Sequence, residues 1–148
     1  MNGIFEANRQ LQETLRQAGV NSVQLGEEAD LDLDNLNVYP HAHIFIESSR
    51  LTNNSFGITW TIALIDQVNK GVGDKDSLGR NDNYEDVFHN LLKVVNLVNK
   101  QFAKNSLFYS IESPIELTAI SKTINNCVGW VLTLSATGGN KISIPNCP

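Results

Sequence analysis

The stretch FGITWTIAL, residues 56–64, constrains the fold most, because its large apolar side chains recur at every second position. Those side chains are Phe56, Ile58, Trp60, Ile62 and Leu64. A period of two is typical of a β-strand with one buried face and does not match the helical period of 3.6. We therefore expect a strand here, with its even-numbered residues facing a hydrophobic core.

Other segments of the chain share this period of two. Between residues 38 and 46 one set of side chains alternates with another; the first set is Val38, Ala42, Ile44 and Ile46, and the second is Tyr39, His41, His43 and Phe45. The intervening SRLTNNS is typical of a turn, so residues 38–65 are predicted to form a long antiparallel hairpin. Two further extended stretches are expected at 107–121 and 127–137.

Two segments have helical spacing instead. Residues 84–103 carry apolar side chains at intervals of three and four, with acidic residues in the first turn and Lys100 and Lys104 at the end. That charge distribution favours a helix, and Asn83 is a suitable N-cap. Residues 3–18 place Ile4, Leu11, Leu15 and Ala18 on one helical face, and Gly19 is a natural stop. A short apolar patch at 20–25 is a candidate strand.

The order of helix, strand pair, helix and strand pair predicts an α+β fold, an antiparallel sheet with helices packed on one face. A length of 148 residues suits a single domain, residues 1–148. Within it we expect an N-terminal helix at 1–19 and an extended C-terminal tail at 139–148.

The net charge of −5 is concentrated near the N-terminus. Residues 1–36 hold two basic and seven acidic residues, whereas residues 37–148 hold nine of each. The absence of a basic stripe argues against nucleic acid as a sequence-specific partner. No apolar run approaches the ~18 residues needed to span a bilayer, and the N-terminus lacks the pattern of a signal peptide. We expect an intracellular protein with no membrane partner.

Motifs for chemistry are incomplete. Asp30, Asp32 and Asp34 resemble the start of a calcium loop, but that motif needs glycine and glutamate where Asn35 and His41 stand. His41 and His43, with His89 as a third ligand, are too few donors for a zinc site. The loop after the long strand lacks the Gly-Lys-Ser/Thr order of a phosphate loop. The sequence therefore predicts no catalytic residue, no metal and no cofactor, and a protein that is not an enzyme.

The C-terminal end has apolar residues beyond its last predicted strand. Gly138 and Gly139 are interpreted as a flexible joint, followed by Ile142 and Ile144 in a short alternating segment that Pro145 closes. Two such residues cannot support a core of their own. The segment is expected to dock either on its own sheet, with the glycines as the turn, or on an exposed edge or groove of a neighbouring subunit.

Two polar segments are further candidate interfaces. Loop 68–83 is long for a compact domain, and we expect Lys70, Lys75 and Arg80 to contact an adjacent subunit. The acidic segment is the second, because a run of like charge usually lies in solvent. Its charged residues are Glu27, Glu28, Asp30, Asp32 and Asp34.

Several local patterns resemble one known family. They are Tyr39-Pro40 at the start of the first long strand, IALIDQVNKG at the end of the second, the helix NYEDVFHNLLKVVNLVNK, then GWVLTL and IPNCP. In this order, over most of residues 36–148, they resemble the tail-terminator and tail-completion proteins of tailed bacteriophages.

The resemblance implies a structural virion protein that forms a ring in the phage neck or tail and joins the head, at its portal and connector, to the tail. It implies a homo-oligomer, commonly a hexamer, whose partners are its own copies and the neighbouring neck and tail proteins. The protein would reside in the virion, and in the host cytoplasm before assembly. In such a ring the acidic segment would lie near the channel or at a polar junction between rings, and the alternative is the plain outer surface. Loop 68–83 would reach an adjacent subunit or a neighbouring ring. No reaction or cofactor is implied.

Two other functions remain open at this point. One is a small-molecule-binding or enzymatic α+β domain with a pocket lined by Trp60, Trp130, His41 and His43. The other is a ring adaptor of the same fold in a non-viral contractile injection apparatus.

Overall fold

The fold is an α+β arrangement of one largely antiparallel sheet and two helices. A computed structural model describes residues 3–26, 39–68, 84–104, 110–112, 114–120 and 127–140. The helices are α1 (Gly3–Gln17) and α2 (Tyr84–Ala103). The strands are β1 (Ser22–Leu25), β2 (His41–Leu51), β3 (Ser55–Gln67), β4 (Ser110–Ile111), β5 (Leu117–Ile120) and β6 (Cys127–Gly139).

The strands are arranged in the order β1-β2-β3-β6-β4, and β5 also pairs with β6. The hairpin β2–β3 and the pair β3–β6 are antiparallel, and β6 pairs with β3 along the whole of both strands. The predicted hairpin and antiparallel sheet are therefore confirmed. One pairing was not foreseen: β1 runs parallel to β2, with Ser22 opposite His41.

The even-numbered residues of β3 form the centre of the core. Phe56, Ile58, Trp60, Ile62 and Leu64 are all buried, together with apolar residues from both helices. This confirms the register predicted from the alternation. The two helices pack on this face, which we call the core face of the sheet.

Hydrogen bonds from two indoles fix the helices on the core face. The Trp60 Nε1–H donates to Oδ1 of Asn8 in α1 at 2.7 Å. The Trp130 Nε1–H donates to the carbonyl oxygen of Phe88 in α2 at 3.0 Å, and the two rings meet edge to face. Each helix is thus joined to the sheet by a directed polar contact as well as by apolar packing.

The N-terminal helix ends where the sequence predicted. Gly19 has a φ of 106°, a left-handed conformation that glycine adopts without the steric cost of a side chain. The Val20 N–H then donates to the carbonyl oxygen of Leu15. This turn reverses the chain, so β1 lies beside β2. Of the residues predicted for the buried helical face, Leu11 and Leu15 are buried, whereas Ile4 is exposed.

Two local predictions were wrong at their boundaries. The turn of the hairpin is narrower than SRLTNNS, because Ser49, Arg50 and Leu51 belong to β2. Gly138 and Gly139 are not a flexible joint. They lie in β6 and pair with Phe56 and Ser55, since the partner strand extends far enough to order them.

One glycine of β6 is required by close packing between strands. A side chain at Gly129 would overlap the backbone carbonyl of Leu64 on the neighbouring strand. Gly57 on β3 differs, because an added Cβ there would meet its nearest atoms at 3.6–3.8 Å, an ordinary contact distance. Only the first position therefore excludes larger residues on steric grounds.

Candidate functional site

The residues proposed from the sequence as interface sites lie outside the described residues. The predicted subunit contacts are Ile142, Ile144, Pro145, Lys70, Lys75 and Arg80. The predicted channel-facing residues are Glu27, Glu28, Asp30, Asp32 and Asp34. Their roles stay predictions, and the candidate functional surfaces are formed by other, described residues.

The first such surface is the open edge of β2. Strand β1 pairs only with His41–Ile44, and the Gly26 N–H donates to the Ile44 carbonyl at the end of this short ladder. From Phe45 to Leu51, no strand among the described residues pairs with the side of β2 that faces away from β3. Unpaired N–H and C=O groups of this kind can bind another extended chain.

Apolar side chains lie along the same edge. Ile46 is 44% exposed, Leu51 is 64% exposed, and Leu25 on β1 is 40% exposed. The register places Leu25 beside Ile44 and Ile46 opposite Trp60, so both point toward the core face but lie at its margin. Backbone groups and apolar side chains are thus available together along the β2 edge.

A β-bulge shapes this edge. The pairing of β2 with β3 shifts between Ile46 and Ser48, which leaves Glu47 as the extra residue. Its Oε2 accepts a hydrogen bond of 3.0 Å from the Thr61 hydroxyl. Because a bulge changes which residues point to each face, Leu51 points to the core side of the sheet although its number is odd.

The second surface is a groove of about 510 Å³ beside α2. One wall is the outer side of the helix, and the other is the chain at 114–117 that leads into β5. The lining residues are His89, Leu92, Lys93, Val95, Asn96, Asn99, Pro114, Ile115 and Leu117. We call this the α2–β5 groove.

The α2–β5 groove lies at the edge of the sheet opposite the β2 edge. Strand β5 pairs with β6 on one side, and no described strand occupies its other side. Leu92, at 44% exposure, places an apolar side chain in the groove, and Leu117 is half-buried below it. An extended peptide alongside β5 would therefore meet a free backbone edge and an apolar floor together.

A third feature is a cluster of polar side chains on the face of the sheet opposite the helices. His41 and His43 are buried there, with ring centroids 6.1 Å apart. The Nδ1 atom of His41 lies 2.9 Å from the Ser22 hydroxyl, and its Nε2 has no hydrogen-bond partner among the described residues. The side chain of Tyr39, two residues before His41, interacts with that of Cys127.

The surroundings of this cluster change its acid–base properties. Burial raises the pKa of Tyr39 to about 12, and Cys127 and then Asp66 add to the effect. Burial lowers the pKa of His41, as does the neighbouring His43, while the contact with Ser22 acts in the opposite direction. Burial raises the pKa of Asp66, partly offset by the hydrogen bond from the Gln67 N–H at 2.7 Å.

The three histidines considered as metal ligands do not converge. His89 is exposed on α2, which packs on the core face, whereas His41 and His43 lie on the other face. Within the described part of the chain, no group of three or more His, Cys, Asp or Glu side chains is placed to hold a metal ion.

The small-molecule pocket considered from the sequence is also not formed by the residues expected to line it. Trp60 and Trp130 lie on the core face, and His41 and His43 lie on the opposite one, because Trp60 and the partner residue of His41, Ile65, are an odd number of positions apart on β3. These four side chains cannot line one cavity through the sheet.

Sequence reasoning missed both open surfaces and one buried polar contact. Leu92 and Leu97 were visible as apolar residues outside the predicted buried face of α2, and they were a usable signal for an external contact. Asn8 has no such signal, since nothing local distinguishes it from the exposed polar residues of α1.

None of the helices among the described residues is long and apolar enough to span a membrane. A scan against protein-family models finds no family that matches this sequence, and a comparison with curated proteins finds no relative. The function is therefore inferred from the surfaces described above and from the resemblance in the sequence.

Proposed function

We propose that this protein is a structural virion protein that assembles with copies of itself into a ring in the neck or tail of a tailed bacteriophage. The observation that carries the proposal is the presence of two different open surfaces at opposite edges of one sheet. These are the β2 edge, with Ile46 and Leu51, and the α2–β5 groove, with Leu92.

Two unlike surfaces at opposite edges of the subunit's sheet suit a ring. When one surface of a subunit contacts a different surface of the next, the contact is repeated around an axis and closes if the rotation divides a full turn. A two-fold dimer instead uses the same surface twice and would leave the second surface unused. The phage resemblance adds the expected number, commonly six, and the expected place between head and tail.

The chemistry of the β2 edge supports protein as its partner. Main-chain hydrogen bonds give affinity when a strand is added to a sheet edge, and alternate side chains give register. Here Ile46 and Leu51 supply apolar contacts at the same edge, and Glu47 and Arg50 are the charged residues between them. Neighbouring neck or tail proteins would bind the ends of the assembled ring.

The test measures assembly of the full chain. Light scattering coupled to size-exclusion chromatography gives the copy number, and negative-stain electron microscopy shows whether the particle is a ring. Ile46→Lys and Leu51→Lys should yield folded monomers, because each places a charge in the proposed contact. Leu97→Lys is the matched control, since Leu97 is 45% exposed on α2 but does not line the groove.

A chain that stays monomeric at high concentration would refute the proposal. A two-fold dimer that survives both edge substitutions would refute it as well. Rings lost equally in the Leu97→Lys control would show that the effect is general and not specific to the β2 edge.

A further inference from the structure

We propose that the α2–β5 groove binds the C-terminal segment 141–145 of a second copy of this chain. The inference rests on the proposed self-assembly and deepens it, because it names the occupant of one of the two surfaces. It joins an open surface of described residues to a segment whose residue pattern and reach are known.

The residue pattern of the segment fits the groove. Residues 141–144 read Lys-Ile-Ser-Ile, so Ile142 and Ile144 point to the same side when the segment is extended. In β5, Leu117 points to the core side of the sheet, toward α2, as shown by its pairing with Leu132. A strand added beside β5 can therefore place both isoleucines on the groove side.

The groove offers apolar and polar partners in matching positions. Leu92 and Ile115 are apolar residues of its two walls, and they are only partly buried in the isolated chain. Asn96 and Asn99 lie one helical turn apart on α2 and can bond the backbone of an extended peptide. Pro145 then ends the added strand, because proline cannot donate to a ladder.

Chain length excludes the β5 edge of the same subunit. Asn140 follows the end of β6, whereas Leu117 of β5 pairs with Leu132, eight residues earlier, so Asn140 and Leu117 are about 26 Å apart along the strand. Ile144 is four residues beyond Asn140 and reaches at most about 14 Å from it. Only the end of the groove at Pro114 and Ile115 lies nearer, so a segment that pairs beside β5 must come from another copy.

The point of departure is fixed. The Asn140 Nδ2 donates to the Thr52 carbonyl at 2.7 Å, and its N–H donates to the Asn54 carbonyl at 3.2 Å. The segment thus leaves from the tip of the β2–β3 hairpin. A fixed starting point reduces the entropy lost when the segment binds and favours the same contact in every copy.

The first experiment is disulfide trapping between two full chains. One chain carries Leu92→Cys and the other Ile142→Cys, and both carry Cys147→Ser; the remaining cysteine, Cys127, is buried and not in a disulfide. Mixed, assembled and oxidised, they should give a cross-linked heterodimer. Leu97→Cys in place of Leu92→Cys should give none, because Leu97 is equally exposed but outside the groove.

The second experiment measures assembly strength. Leu92→Lys should raise the concentration at which rings dissociate by about tenfold or more, as expected for the loss of one buried leucine contact. Leu97→Lys should leave that concentration unchanged. Circular dichroism establishes that both variants remain folded.

The outcomes separate this inference from the proposed function. Rings that form with Leu92→Lys at the native concentration, or cross-links equally strong from Leu97→Cys, would overturn the groove assignment and leave ring assembly standing. A native chain that never assembles would overturn both.

Discussion

The hydrogen bond between Trp60 and Asn8 offers the sharpest test of how α1 is held on the sheet. Both residues are buried, and the donor and acceptor are 2.7 Å apart. Asn8→Ala removes the acceptor while the indole stays inside the core. A buried donor deprived of its partner costs about 1–3 kcal/mol, so we expect the free energy of unfolding to fall by about that amount.

Substituting Trp60, the other partner of the bond, lowers the free energy of unfolding through lost volume as well as through the lost hydrogen bond. Trp60→Phe leaves the Asn8 amide without its donor and leaves a small void, for a loss of about 2–4 kcal/mol. Trp60→Ala should cost about 3–5 kcal/mol, because the whole ring is lost from the core. The double variant Asn8→Ala with Trp60→Phe loses the shared bond only once. Its loss of stability should therefore be smaller than the sum of the two single losses by about 1–2 kcal/mol.

The assay is urea unfolding followed by far-ultraviolet circular dichroism, since fluorescence changes when an indole is removed. Protein concentration is held fixed, because assembly alters apparent stability. Asn8→Ala should also lower Tm by about 2–12 °C for a chain of this size.

Thr14→Ala is the matched control for this cycle. Thr14 is also buried on α1, but its hydroxyl donates to the Gln10 carbonyl of the same helix at 2.8 Å. Its coupling to Trp60→Phe should be below about 0.5 kcal/mol. Equal coupling for Asn8 and Thr14, or none for Asn8, would refute the assigned role of the bond.

Three other predictions concern packing, pH and charge. Gly129→Ala should destabilise the fold by about 3 kcal/mol or more, because its Cβ would meet a neighbouring backbone carbonyl, whereas Gly57→Ala should be within about 1 kcal/mol of native in the same unfolding assay. Because burial lowers the pKa of His41 in the folded state, the unfolded chain binds the proton more readily, and stability should fall as pH drops below the ordinary value of about 6.5; a flatter Tm–pH curve for His41→Phe would support this, and an unchanged slope would contradict it. Replacing the acidic residues of 27–34 by their amides should leave ring assembly intact and, if they face the channel, slow DNA passage; unchanged infectivity would favour the plain outer surface.

The two helices and the long strands could be predicted because each has a period that is written into consecutive residues. The predicted stretch 107–121 instead contains two short strands, β4 and β5, with residues 114–116 outside both. Alternation from Phe56 to Leu64 determines a strand and its buried face, and the spacing from Val87 to Val98 determines a helix, whatever surrounds them. Gly19 marks the end of α1 for an equally local reason, its backbone conformation.

The candidate surfaces could be predicted only in part. The apolar Leu92 and Leu97 were visible as exceptions to the helical pattern of α2. That Leu92 lines a groove and Leu97 does not depends on the position of residues 114–117, which are distant in sequence. The open edge of β2 likewise depends on how few residues of β1 pair with it.

The sequence by itself determined where the two helices and the long strands lie, and which side of β3 is buried, because periodicity is a local property of the chain. The tertiary structure alone decided the rest. Pairing with β3 keeps Gly138 and Gly139 in a strand, the parallel partner β1 covers only the start of β2, and His41 is buried although it lies on the face opposite the helices. Such outcomes depend on contacts between residues far apart in the sequence, which no short stretch contains.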